Sequence, residues 1–217
     1  MKPKALIFDL DGTLINSLED ISNCANKAIS ELGFKTHSFE DFKKFVGEGA
    51  WNLLKNALPQ NTEKEIIDEA YKRYQKYYEK EKFDNTYVYD GIFALIDFCA
   101  AQNIKMAVFS NKPHIFTTAC VEQFFEKDTF LMIIGQSEET PKKPDPTGAL
   151  RISKFLKIAP SDIWFVGDTK TDILTAKASS MKSVGCTWGF RDKLELEKFG
   201  ADFIISHPNE LTQIINK

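Results

Sequence analysis

Ala5-Leu6-Ile7-Phe8 is an unbroken apolar run. Short runs rich in β-branched and aromatic residues return late in the chain, over 104–109, 131–134, 163–166 and 183–186, with a weaker one over 202–205. Strands buried on both faces of a parallel sheet read in this way, as continuous apolar stretches instead of alternating ones. Between the first run and the second the pattern changes to helical spacing. Segments over 17–32, 38–46 and 62–82 open with Ser17-x-x-Asp20, Ser38-x-x-Asp41 and Thr62-x-x-Glu65, each the spacing of a capping box. In the third, Ile67, Ala70 or Tyr71, Tyr74 and Tyr78 share one helical face, and Lys, Arg and Glu fill the other. The clusters Lys72-Arg73 and Lys80-Glu81-Lys82 then read as a solvated surface.

From Asp90 onward helix and strand patterns alternate, which predicts a parallel sheet with helices on both faces. The strand at 6–8 must join that sheet, because a lone strand has no hydrogen-bond partner. The expected organisation is therefore an α/β core built from residues 1–14 and 90–217, interrupted after its first strand by a helical insert over 15–89.

Composition narrows the partners. Of 217 residues 43% are hydrophobic, enough for a packed core, and 28 basic against 31 acidic residues leave a net charge of -3. No basic field exists to attract nucleic acid. No apolar run approaches the roughly 20 residues of a membrane span, and no leader is expected. Cys24, Cys99, Cys120 and Cys186 are scattered without a Cys-x-x-Cys pair, and they read as reduced, buried thiols of a cytoplasmic protein.

The chemistry concentrates at strand ends, where ligands of parallel sheets collect. Asp9-Leu10-Asp11-Gly12-Thr13 places two carboxylates two residues apart directly after the first apolar run. Such a pair suits a nucleophile that also holds a divalent cation, beside a proton donor and acceptor at a leaving group. Gly12 permits a tight turn whose backbone N–H groups can face phosphate. The plain alternative is a solvated strand-to-turn junction. Ser110-Asn111 ends the second run with a hydroxyl and an amide, and Lys112-Pro113 follows as the first turn of a helix, though Ser110 could equally be an ordinary cap. Lys142-Lys143-Pro144-Asp145-Pro146 is a proline-stiffened loop able to aim one ammonium at a site, or a surface turn. Gly167-Asp168-x-x-x-Asp172 offers hard oxygen ligands for Mg2+, or acids favoured by a helix start.

Taken together and in this order, Asp9-x-Asp11-Gly12-Thr13-Leu14, the helical insert, Ser110-Asn111, Lys143-Pro144-x-Pro146 and Gly167-Asp168-x-x-x-Asp172 resemble the haloacid dehalogenase superfamily, in its phosphoglycolate phosphatase-like branch. The resemblance covers essentially the whole chain. It implies a Rossmann-like core with a mobile helical cap and a Mg2+-dependent phosphatase working through an aspartyl-phosphate. Asp9 would be the nucleophile and Asp11 the general acid and base. Gly12, Ser110, Asn111 and Lys143 would bind the phosphoryl group. Asp9, Asp168 and the carbonyl of Asp11 would hold Mg2+, with Asp172 supporting them or pairing with Lys143, and the resemblance leaves open whether Asp172 touches the metal. Gly47, Glu48 and Gly49 would form the specificity loop of the cap, and Glu48 and Trp51 are candidates to line its pocket.

The chain departs from the family's common pattern at Asn16, at Asp90-Gly91 and at Ser179-Ser180-Met181. The expected partner is a small phosphorylated metabolite, first 2-phosphoglycolate. Pyrophosphate, a nucleoside monophosphate or a sugar phosphate come behind it. A mutase of the β-phosphoglucomutase type and a non-catalytic phospho-accepting regulator are the rival functions. The chain would act as a monomer or a homodimer.

Overall fold

The structure, a computed structural model, describes residues 2–217. In chain order it runs β1 (Ala5–Phe8), β2 (Ile15–Asn16), four helices α1 (Leu18–Ser30), α2 (Phe39–Phe45), α3 (Ala50–Ala57) and α4 (Lys64–Glu81), then β3 (Tyr87–Val88). The remainder alternates: α5 (Ile92–Ala101), β4 (Lys105–Pro113), α6 (His114–Phe124), β5 (Met132–Gln136), α7 (Thr147–Leu156), a 3-10 turn (Pro160–Asp162), β6 (Ile163–Gly167), α8 (Lys170–Ala178), β7 (Lys182–Cys186), α9 (Lys193–Lys198), β8 (Phe203–Ile205) and α10 (Pro208–Ile215).

Six strands form one parallel sheet in the order β5-β4-β1-β6-β7-β8, a Rossmann-like α/β arrangement. β1 lies at its centre, with Ala5 paired to Lys105 on one side and to Ile163 on the other. Alternate residues of a strand face opposite ways. Leu6 and Phe8 therefore enter one core with Val108, Trp164 and Val166, and Ala5 and Ile7 enter another with Phe109, Ile152 and Phe165. Burial on both faces explains why β1 is apolar at every position.

The four helices of the insert share a third core of Leu18, Ile21, Phe42, Leu53, Ile67, Tyr74 and Tyr78, to which Phe116 and Phe190 from the sheet side contribute. Helix α4 buries Ile67, Ala70, Tyr74 and Tyr78, as its spacing predicts. Helix α3 and the antiparallel ribbon β2–β3, with Ile15 opposite Val88 and Asn16 opposite Tyr87, were not delimited from sequence. Two-residue strands carry no periodicity to read.

Of the three capping boxes only Ser38/Asp41 forms. Helix α4 starts at Lys64 with Glu63 as its cap residue, because the Thr62 hydroxyl donates to Pro59 O at 2.8 Å. Ser17 precedes α1 but donates its hydroxyl to Asp11. Asp20, released from that box, is buried and accepts from the N–H groups of Asn85 (3.0 Å) and Thr86 (2.9 Å) and from the Thr86 hydroxyl (2.6 Å). It staples the start of the insert to its end.

Candidate active site

Asp9 follows β1, Ser110 and Asn111 lie in β4, Lys143 precedes α7, and Asp168 and Asp172 flank the start of α8. The sheet order sets β4 and β6 on either side of β1, so these distant segments converge at one end of the sheet. The Lys143 ammonium lies 2.8 Å from Asp9 Oδ1 and 2.6 Å from Asp172 Oδ1. Asp9, Asp168 and Asp172 each offer a carboxylate oxygen within 4.8 Å of the others, and all three are buried.

That crowding shows in the acid strengths. Burial raises Asp9 to about 7, against the opposing pull of Lys143 and with added repulsion from Asp172. Asp168 is raised well above the ordinary carboxylate range, first by burial and then by Asp172 and Asp9. Burial works against the charge on Lys143, but Asp172 and Asp9 outweigh it and its pKa is raised. Three buried carboxylates facing one ammonium leave an excess of negative charge, and hard oxygen donors in this number suit Mg2+. The donor set fits the expected ion.

Each group is held by neighbours. Asp168 accepts from the N–H of Phe190 (2.8 Å) and the hydroxyl of Thr13 (3.3 Å). Asp172 accepts from the N–H (3.0 Å) and hydroxyl (2.8 Å) of Thr169 in a capping box that opens α8. Gly12 adopts φ +84, and a Cβ there would lie 2.4 Å from Asp168 Oδ2. Its N–H closes the turn onto Ile15 O at 2.8 Å. Gly12 thus supplies the turn and the room for Asp168, and its own donor is not left for phosphate.

The Asn111 side chain is likewise engaged. It donates to Gly47 O (3.0 Å) and Lys143 O (3.1 Å) and accepts from Lys143 N (2.7 Å), which leaves only its backbone for a phosphoryl oxygen. The Ser110 hydroxyl accepts from Lys112 N at 3.2 Å, and its own proton has no acceptor among the described residues.

A cavity between sheet and insert opens on Asp9 and Asp11. It is lined by Ser110, Asn111, Lys112, Pro113, Phe116 and Phe190 from the sheet side, and by Ile21, Val46, Gly47, Gly49, Ala50, Leu53, Tyr74 and Tyr78 from the insert. Glu48 and Trp51 are absent from that wall. Glu48 turns to Lys170 (3.1 Å) and Trp51 donates its indole N–H to Asp68 (2.8 Å).

Lys112 was assigned no role from sequence. The expected first helical turn at Lys112-Pro113 does not form: both residues belong to β4, and α6 begins at His114. The pairing of β4 with β5 shifts register between Phe109 and Pro113, an irregularity of the kind that re-aims side chains beside sites. Lys112 thereby reaches Asp11 Oδ1 at 2.7 Å. No local spacing signals this contact.

Residues 6–186 match the sequence profile of a family described as haloacid dehalogenase-like hydrolase. A phosphoglycolate phosphatase of Pseudomonas syringae pv. tomato is 32% identical over 194 residues, spanning 87% of this chain and 71% of the relative. A phosphoglycolate phosphatase of Photobacterium profundum is 28% identical over 218 residues, spanning 98% and 95%. Among solved structures, a protein from Lactobacillus delbrueckii subsp. bulgaricus superposes with a TM-score of 0.93 at 27% identity over 99% of both chains.

Proposed function

The chain belongs to the haloacid dehalogenase-like hydrolases and is a phosphatase, and from that premise we propose that it is a Mg2+-dependent phosphomonoesterase acting through an aspartyl-phosphate on Asp9. The observation that carries the reading is the buried Asp9 carboxylate, with Lys143 at 2.8 Å and with Asp11 lining the same cavity.

In this reading Asp9 attacks phosphorus and Asp11 gives its proton to the departing ester oxygen, later taking one from the water that hydrolyses the acyl phosphate. The Ser110 hydroxyl, the backbone at Asn111 and the Lys143 ammonium hold the phosphoryl oxygens, where transition-state charge spreads. Asp9, Asp168 and the Asp11 carbonyl would hold Mg2+, which when bound neutralises the crowded carboxylates and the phosphoryl charge. Asp172 holds Lys143 between itself and Asp9. The helical insert 15–89 serves as a cap that closes the cavity over substrate.

The names of the relatives make 2-phosphoglycolate the first substrate to test, in the cytoplasm as the setting for four free, buried cysteines. No helix among the described residues is long and apolar enough to cross a membrane.

Phosphate release is to be measured on 2-phosphoglycolate, pyrophosphate, nucleoside monophosphates and sugar phosphates, with Mg2+ and with EDTA. Release should require metal and fall by about 10³-fold or more in Asp9→Asn. Turnover by Asp9→Asn near the parent rate would overturn the mechanism. Preference for a sugar phosphate or pyrophosphate would reassign the substrate.

A further inference from the structure

Lys112 stands out among the residues lining the cavity. Its ammonium is buried, with 4% of the side chain exposed, and it is the only basic group in the wall. An ammonium has three N–H donors. One meets Asp11 Oδ1 at 2.7 Å, and the ammonium lies over the ring of Tyr78, 4.8 Å from its centroid. No second oxygen acceptor among the described residues bonds it. A buried cation with unspent donors is unfavourable unless a ligand completes it, and these donors border the cavity.

The opposite wall limits what the ligand can be. Ile21, Val46, Ala50 and Leu53 present hydrocarbon, and Tyr74 and Tyr78 bring the only polar side chains of the insert to this wall. Two phenols in an otherwise apolar wall are few partners for the several hydroxyls of a sugar or the edges of a base.

Connectivity supplies the rest. If Asp11 protonates the ester oxygen, Lys112 lies one hydrogen bond further out, beside a substituent joined to that oxygen through a single carbon. Resting on the phosphomonoesterase reading, we infer that Lys112 is a specificity-determining residue that binds the carboxylate of a short organic-acid phosphate, one carbon removed from the ester oxygen. 2-Phosphoglycolate has that geometry.

The test compares kcat/KM for 2-phosphoglycolate and for ethyl phosphate, which share a two-carbon skeleton and differ by the carboxylate. Methionine at 112 keeps the length and the packing of the stem without the charge. The parent should prefer 2-phosphoglycolate by at least about 10-fold, and Lys112→Met should lower that preference by about 10- to 100-fold, the range of a hydrogen bond to a charged group. Equal losses on both esters would show that Lys112 acts only through Asp11, and would overturn the inference.

Should Lys112→Met not fold, the parent decides: preference for 2-phosphoglycolate with competitive inhibition by glycolate supports the inference, and the absence of either effect overturns it. Hydrolysis of 4-nitrophenyl phosphate without preference between the two esters overturns the inference and leaves the phosphomonoesterase reading standing. No hydrolysis of any of the three overturns both.

Discussion

At the scale of single residues, the groups of the candidate site were legible where the chain itself places them at strand ends. Asp9, Ser110 and Asp168 follow apolar runs, and the turn at Gly12 is compelled by its φ of +84 and the closeness of Asp168. Side chains that meet across the fold were not legible, Lys112 above all. Ser180 shows the opposite case, a departure visible in sequence whose consequence only geometry reveals. It is exposed and sits at φ +58, in the left-handed region that favours glycine. A non-glycine residue there costs about 1 kcal/mol. Ser180→Gly should therefore raise unfolding stability by about 1 kcal/mol in urea titration, with catalysis untouched. A variant no more stable than the parent would show that the strain is relieved elsewhere.

At the scale of elements, side chains of the sheet side hydrogen-bond to backbone carbonyls of the insert around the loop joining α2 to α3. Arg191, in the segment after β7, donates to Lys43 O, to Lys44 O (3.3 Å) and to Val46 O (2.8 Å), the carbonyls that the end of α2 leaves free. Its guanidinium also suits the negative end of the helix dipole. The Asn111–Gly47 bond and the Lys142–Glu48 O bond (3.2 Å) grip the same loop. On the proposal that the insert is a closing cap, loosening this grip should favour its open state. Arg191→Ala should lower kcat/KM by about 10-fold, chiefly through KM, and Arg191→Lys should recover only part, because donors on one ammonium nitrogen lack the planar, spread-out fork by which the guanidinium reaches three separate carbonyls. Unchanged kcat/KM together with unchanged protease resistance of the 46–49 loop would remove Arg191 from cap closure.

At the scale of the whole molecule, two of the three cores bury all four cysteines without a disulfide. Burial pushes the thiols of Cys24 and Cys99 up to about 12 and that of Cys120 up to about 11, and Cys186 well above its ordinary value. A thiol reagent at pH 8 should therefore label none in the folded protein and four in denaturant. Rapid labelling of any one under native conditions would show that its core opens readily.

Local periodicity determined the α/β class, the placing of most strands within a residue or two, the helical insert and the acids at strand ends, because period and apolar continuity are properties of neighbouring residues. Tertiary structure alone decided what those groups meet. Lys143 lies between Asp9 and Asp172, the Asp20 carboxylate leaves the cap of its own helix for the far end of the insert, and Lys112 pairs with Asp11 across 101 positions. Each of these partners a buried charge, and the partner of a buried charge is set by which distant elements pack together, a choice that no local spacing records.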